Sequence, residues 1–309
     1  MLRKLRIAAA VVCFALVTLL FLDFTGTLHA WFGWLARIQF LPALLAVNVG
    51  VVAALVVATL LFGRVYCSVV CPLGVMQDGV SWAAGRHRKN RFRYSPAKTA
   101  LRYTVLALFI AALAAGIGSL VALLAPYSAY GRIASNLLAP VYAWGNNLLA
   151  YIAGRMDSYA FYSVDVWMKS LSTLLVAVVT FAVLFVLAWR SGRTYCNTIC
   201  PVGTVLGFLA RYSLFKPRFD TSKCNGCKLC ARNCKASCID PAAHKIDYSR
   251  CVACMDCLEN CRQGAITYTL RRRKPDPAPA PQRPAADAAK TPSDASRRRF
   301  LGLAGIVAY

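Results

Sequence analysis

The sequence predicts an α-helical membrane protein, with a four-helix transmembrane domain containing an internal repeat and a small cysteine-rich α+β domain after it. Three observations carry this expectation. The apolar residues, 58% of 309, gather in long runs, and a helix needs about 20 such residues to cross a bilayer. Two twelve-residue stretches bearing cysteine pairs are near copies of each other. Eight more cysteines then follow at a doubled, regular spacing.

A formal net charge of +24 would in another chain suggest nucleic acid. Here Lys and Arg stand mostly at the ends of the apolar runs, where the positive-inside rule accounts for them. No nucleic-acid partner is expected. Ligand cysteines bind as thiolates and a four-thiolate cubane is an anion, so the formal figure also overstates the charge. Twelve of the fourteen cysteines fall in tight groups, a pattern that suits metal better than disulfides. Cys13 stands alone in an apolar run and behaves as a small hydrophobe.

The first expected span is 5–24, preceded by Arg3, Lys4 and Arg6. A cleaved signal peptide is the rival, but the run is long for one and no convincing small-residue cleavage site follows. The second span is 40–62, with Arg64 at its cytoplasmic end. The stretch 86–102 carries seven Lys or Arg and no acid, a strong cytoplasmic signal. The third span is 103–125, where Gly116 and Gly118 would permit close helix packing. The fourth is 171–189, followed by Arg190 and Arg193. The outer loops hold only Arg37 in one case, and Arg132 and Arg155 in the other. Both ends of the domain are therefore placed in the cytoplasm of a bacterial inner membrane. The outer loop 126–168 contains Tyr127, Tyr130, Tyr142, Trp144, Tyr151, Tyr159, Tyr162 and Trp167. An interfacial aromatic belt is the plain reading; a docking surface or part of a quinone pocket is the alternative.

Residues 63–74, Gly-Arg-Val-Tyr-Cys-Ser-Val-Val-Cys-Pro-Leu-Gly, match 192–203, Gly-Arg-Thr-Tyr-Cys-Asn-Thr-Ile-Cys-Pro-Val-Gly, at seven of twelve positions and an offset of 129. Each copy ends an outside-to-inside span, so a pseudo-twofold axis along the membrane normal would bring the copies together. Cysteines four apart share one face of a helix. Cys67, Cys71, Cys196 and Cys200 are thus candidates for an additional redox or metal site at the cytoplasmic boundary, suited to iron, an iron–sulfur cluster or zinc. The alternative is thiols that form disulfides or merely pack.

After Phe219 the hydropathy drops. Cys224, Cys227, Cys230 and Cys234 are followed by Cys251, Cys254, Cys257 and Cys261 at identical internal spacing. This is the spacing of bacterial two-[4Fe–4S] ferredoxins, in which the fourth cysteine of each run serves the other cluster. Three cysteines in a short loop reach three irons of one cubane, and the fourth, a turn further on, points to the second. One cluster is therefore expected on Cys224, Cys227, Cys230 and Cys261, the other on Cys251, Cys254, Cys257 and Cys234. Lys235 and Arg262 stand where proline usually follows the fourth cysteine. A cation there should favour the reduced cluster. Cys238 is a ninth cysteine, either a free thiol near the cluster or a substitute for Cys234.

The domains expected are 1–218 for the membrane part, 219–271 for the dicluster ferredoxin, 272–295 for a disordered Pro/Ala linker and 296–309 for the start of an export signal. Ser296-Arg297-Arg298-Arg299-Phe300-Leu301-Gly302 matches a twin-arginine motif in its usual setting, between a flexible linker and an apolar stretch. A basic tail that matches by chance is the alternative. An export signal implies something to export, so the natural chain is expected to continue beyond Tyr309.

The four spans, the two Tyr-Cys-x-x-x-Cys-Pro motifs and the dicluster domain together resemble the NapH/MauN-type membrane polyferredoxins, over residues 1 to about 270. They are also similar to the polyferredoxins that support nitrous-oxide reductase. The tail resembles the start of a NapG-type exported ferredoxin subunit, which would make the chain part of a NapH–NapG-like fusion. The resemblance implies a quinol-dehydrogenase-like component that passes electrons between quinol and a periplasmic ferredoxin or reductase subunit. Its cofactors would be two [4Fe–4S] clusters, with quinone as substrate. A second function of another class is a maturation factor for a metalloenzyme using the same clusters. A third, a redox sensor, finds no DNA-binding or kinase-like segment in the sequence. His29, near the outer end of the first span, is the one histidine placed to assist quinol deprotonation, although a solvated role is commoner. His87 and His244 offer no more.

Overall fold

The computed structural model describes residues 2–23, 25–87, 92–156, 162–165 and 170–270. The expected linker, the export-like segment, the basic residues 88–91, and Tyr159 and Trp167 of the outer loop lie outside the described residues. Helix α1 (Leu2–Leu22) leads into three short helices, α2 (Thr27–Phe32), α3 (Trp34–Arg37) and α4 (Phe40–Leu45). Then come α5 (Val49–Phe62), α6 (Val65–Val69), α7 (Pro72–His87), α8 (Thr99–Ala114), α9 (Gly118–Leu124) and α10 (Pro126–Ile133). A π-helical turn at Ala134–Leu138 joins α10 to α11 (Ala139–Arg155). The second repeat follows as α12 (Leu171–Ser191), α13 (Thr194–Thr198) and α14 (Pro201–Ala210).

Two of these helices, α1 and α12, are long and apolar enough to cross a membrane; α5, α8 and α14 are shorter apolar helices. The segments expected as unbroken second and third spans are each divided. Helix α4 stops where Val47 turns left-handed, at φ +52°, and the Asn48 amide bonds back to Ala43 O at 2.9 Å. The Asn48 side chain then caps α5 by accepting from the Val51 amide. Helix α8 stops the same way at Gly116, φ +71°, with the Ile117 amide on Ala112 O at 2.9 Å. A left-handed residue followed by a bond back across the last turn is the Schellman ending, and hydropathy carries no trace of it. Val57, Leu108, Ile110, Val179 and Val186 are all more than half exposed.

The repeat is folded as it is written. Helices α5, α6 and α7 correspond to α12, α13 and α14, and the long helix of each copy ends at a glycine with positive φ, Gly63 at +74° and Gly192 at +65°. The partners are exchanged: α7 packs on α12, and α14 packs on α5. The two arginines cross as well. Arg193 Nη1 donates to Cys67 O at 2.7 Å, and Arg64 Nη2 donates to Cys196 O at 3.1 Å. Gly74 and Gly203 leave the space these arginines use, since a Cβ on either would lie 2.6 or 2.8 Å from the visiting guanidinium.

The cysteine-rich part begins at β1 (Phe215–Phe219) and includes α15 (Leu229–Arg232), β2 (Ile239–Asp240), β3 (Lys245–Ile246), α16 (Asp256–Asn260) and β4 (Ile266–Leu270). Strands β1 and β4 pair antiparallel, from Phe215 with Leu270 to Phe219 with Ile266, and β2 pairs with β3. Each half thus contributes a cysteine loop, a short helix and a strand. A separate small core of Ile239, Ile246, Val252 and Ile266 holds the halves together.

The crossed packing gives a direct test. Gly203→Ala would place a methyl 2.2 Å from Cys196 O, and is expected to cost about 1–3 kcal/mol, the range for overpacking. Gly79→Ala, where a Cβ meets nothing within 4 Å, should melt at or slightly above the wild-type temperature. Thermal unfolding of the purified chain in detergent checks both, and equal melting of the two variants would contradict the packing.

Candidate metal centres

Both cysteine runs wind through left-handed backbone at matching places. Gly226 and Lys228 have φ of +73° and +59°, and Ala253 and Met255, their counterparts, +51° and +62°. Left-handed conformation costs a residue with a side chain about 1–2 kcal/mol, and such strain collects at functional loops. Here it curls each loop around a hollow. The first is lined by Cys224, Cys227, Cys230 and Cys261, with Phe219 and Ile266 as apolar walls. The second is lined by Cys251, Cys254, Cys257 and Cys234, with Ile239 and Val252. Each hollow takes three cysteines from one run and its fourth from the other. Four soft sulfur donors around a small apolar space fit a [4Fe–4S] cluster.

The two hollows differ in surroundings. Cys227 is exposed, and Cys224, Cys230 and Cys261 are partly buried; Cys234, Cys254 and Cys257 are buried. Exposed Lys223, Lys228, Arg232 and Arg262 stand next to or near the first set. Lys235, beside Cys234, behaves otherwise. Its Nζ pairs with Asp256 at 3.0 Å and Asp78 at 3.5 Å, so its charge is largely offset rather than free to act on a cluster. Cys238 is 1% exposed and lines the second hollow, with its sulfur 3.6 Å from that of Cys234. Hydrogen bonding with Cys234 and Cys251 pushes the Cys238 thiol up and draws those of Cys234 and Cys251 down.

The four repeat cysteines, Cys67, Cys71, Cys196 and Cys200, are buried in one apolar core with Tyr66, Tyr195, Leu73 and Leu206. All fourteen cysteines of the chain are free thiols rather than disulfides. Burial, reinforced by the neighbouring sulfurs, pushes Cys71 and Cys200 up, so a metal taken up here would displace protons. Among the described residues no three His, Cys, Asp or Glu side chains are gathered closely enough for a single ion. The donor set is soft throughout, which suits iron, an iron–sulfur cluster or zinc. Gln77 Nε2 also approaches Cys196 Sγ at 3.4 Å.

The cysteine-rich part is bolted to this region. The Arg193 amide donates to Lys235 O at 2.9 Å, and Asn197 Nδ2 to Ala236 O at 3.3 Å. Arg64 Nη1 reaches Ser249 O at 3.2 Å, and Arg102 bonds both Ser249 Oγ at 3.1 Å and Ser249 O at 3.3 Å. Residues 235, 236 and 249 all adjoin cysteines of the second hollow. Among the described residues, none of 224–230 bonds to the repeat motifs. Asp78 is the charge hub, pairing with Arg6, Arg193 and Lys235. Burial alone would raise its carboxyl, but these cations outweigh it and hold it well below the ordinary carboxylate range.

None of the three histidines lines either hollow. His29 is exposed, with Nδ1 3.4 Å from Asp23; His87 lies against Trp189, and His244 stands edge-on to Phe219. The residues that sequence reasoning missed are Arg64, Arg102, Arg193 and Asp78. Arg64 and Arg193 are identical in both repeats, a signal that was present but masked by their second identity as basic residues at the end of an apolar run.

Comparison with known proteins agrees with this layout. A model of a 4Fe-4S binding domain matches residues 44–91 and again 173–222, the two copies of the repeat, and a second 4Fe-4S binding domain model matches 244–267. The chain is 28% identical over 173 residues to the methylamine utilization ferredoxin-type protein MauN of Paracoccus denitrificans, covering 56% of this chain and 48% of MauN. It is 32% identical over 88 residues to an uncharacterized protein of Methanocaldococcus jannaschii, covering 28% of this chain and 35% of that one. The chain thus spans about a third to a half of the length of these relatives. No solved structure matches. With 4Fe-4S domains on both repeat copies and on the cysteine-rich part, and with MauN as a relative, the chain is a ferredoxin-type 4Fe–4S protein of the NapH/MauN kind.

Proposed function

We propose that the chain conducts electrons between the membrane quinol pool and a periplasmic redox partner through two [4Fe–4S] clusters. Cys224, Cys227, Cys230 and Cys261 would hold one, and Cys251, Cys254, Cys257 and Cys234 the other. The observation that carries this reading is the pair of thiol-lined hollows that exchange their fourth cysteine. The exchange sets two one-electron centres side by side in a single small core. When bound, the clusters supply the redox chemistry. The chain's own residues exclude water from them through Phe219, Ile239, Val252 and Ile266, and fasten the second hollow to the repeat cysteines.

In this reading residues 1–218 form the membrane domain, crossing four times, by α1, by α4 with α5, by α8 with α9, and by α12. The breaks in the second and third crossings are tolerable because local bonds and packed neighbours satisfy the freed backbone groups. The basic loops place both ends of the domain and the dicluster part, 219–271, on the cytoplasmic side. Residues 272–295 serve as a linker, and 296–309 carry a twin-arginine-like export signal. MauN's description as a ferredoxin-type protein is in keeping with electron transfer. A metalloenzyme maturation factor is the second reading, favoured by the four buried free thiols of the repeat, a soft donor set able to handle a metal in transit.

Ubiquinol or menaquinol added to the protein in lipid nanodiscs is expected to bleach the iron–sulfur absorbance, and to do so repeatedly when an artificial acceptor is supplied. Failure of both quinols would sink the quinol reading. A target enzyme that lacks its metal when this chain is deleted would favour maturation instead. Cys234→Ser is expected to lose about half of the ferredoxin iron, one cubane of two, whereas Cys238→Ser keeps it. Iron analysis with the opposite result would make Cys238 the ligand.

A further inference from the structure

Arg64 and Arg193 hold equivalent places in the two repeats, and both are fully buried, at 0% exposure. Their surroundings differ in one respect. Arg193 grips Asp78 with two prongs, Nε to Oδ1 and Nη2 to Oδ2, each at 2.8 Å. The residue equivalent to Asp78 in the second repeat, 129 positions on, is Gly207. A Cβ there would lie 2.4 Å from Ser249 O, so backbone of the dicluster part occupies the place of a carboxylate. Arg64 accordingly donates to neutral acceptors: Asn197 Oδ1 at 2.8 Å, Cys196 O at 3.1 Å and Ser249 O at 3.2 Å. Its Nη2 also lies 3.8 Å from Cys67 Sγ. Among the described residues no carboxylate pairs with it.

A guanidinium keeps its charge at any ordinary pH, and burying a charge without a counter-charge costs several kcal/mol. Carbonyl and amide oxygens offset part of that cost. The remaining partners are sulfur: Cys67 on one side and, two residues beyond Ser249, Cys251 on the other.

We propose that Arg64 is the counter-ion of an anionic, thiolate-ligated cluster at Cys67, Cys71, Cys196 and Cys200, and couples it electrostatically to the cluster held by Cys251, Cys254, Cys257 and Cys234. This rests on the electron-transfer reading of the two ferredoxin clusters. One electron passes between the neighbouring centres; one is oxidised as the other is reduced, and no bond forms or breaks. The electron originates from a quinol or from the redox partner, according to the direction of flow. The fixed charge of Arg64 stabilises the reduced form of both centres. Arg193 also lies near Cys196, but it shares the Asp78 carboxylate with Arg6 and Lys235, a counter-charge that Arg64 lacks. Arg64 is thus a positioning residue that sets potentials, and the cluster on Cys224, Cys227, Cys230 and Cys261 lies outside its reach.

The full chain, purified in detergent and reconstituted without oxygen, is expected to carry more iron than two cubanes hold. The surplus should vanish in Cys67→Ser/Cys196→Ser. In redox titrations followed by EPR, Arg64→Gln should move the surplus centre and one ferredoxin cluster to lower potential and leave the other ferredoxin cluster in place. Arg64→Lys, which keeps the charge, should stay close to wild type. Unmoved midpoints in Arg64→Gln, or a common shift of all three, overturn the proposal. So does a wild-type chain without surplus iron, even where quinol reduces both ferredoxin clusters, a result that leaves the electron-transfer reading standing. If Arg64→Gln does not accumulate, Arg64→Lys decides: surplus iron and wild-type midpoints support the proposal, and loss of the surplus overturns it.

Discussion

Two buried guanidiniums cross between the halves of the repeat, and most of the described architecture hangs on them. Arg193 holds the carbonyl of Cys67 and Arg64 that of Cys196, so neither cysteine loop is set by its own half alone. Each crossing needs a glycine on the receiving side, because a methyl at residue 74 or 203 would fill the space the arginine occupies. Hydrogen bonds to buried carbonyls satisfy some of the guanidinium donors but not Arg64 Nε, and carbonyls do not neutralise a charge. The two halves meet this need with different partners. One has the Asp78 carboxylate; the other faces sulfur and the backbone of the dicluster part.

That difference breaks the symmetry where the cysteine-rich part attaches. Ser249 O receives both Arg64 and Arg102, and the Lys235 and Ala236 carbonyls receive Arg193 and Asn197. All three carbonyls adjoin cysteines of the second hollow. The first hollow is left at the surface, with an exposed cysteine and exposed cations around it. The repeat motifs thus meet the cysteine-rich part beside the second hollow, while other segments hold it elsewhere, the Phe92 amide on Arg232 O at 3.2 Å and Tyr268 Oη on Phe62 O at 3.0 Å.

The cysteine pattern was legible because its chemistry is local. Three sulfurs within seven residues, followed by a fourth, imply a loop around a cluster whatever the rest of the chain does, and in the structure those cysteines line two hollows. The repeat was equally plain, since seven identities in twelve positions need no structure to be seen. Two readings fared less well. Hydropathy measured the second and third apolar segments as unbroken, because the left-handed endings at Val47 and Gly116 cost no polarity. Lys235, expected to act on a cluster as a free cation, is held between Asp78 and Asp256, residues distant in sequence.

The sequence by itself determined which residues are metal-ligand candidates, how the two runs share them, and that the chain has two related halves. These depend on residue type and on spacings of a few positions. Only the tertiary structure decided what the arginines do. Arg64, Arg102 and Arg193 carry the composition of topology markers at the ends of apolar runs, yet they are buried at 0%, 3% and 0% exposure. Charge in a sequence shows where a residue would prefer to be, in water. Whether the fold lets it go there, or holds it inside against a cysteine carbonyl 132 residues away, is settled by packing between segments that no local pattern relates.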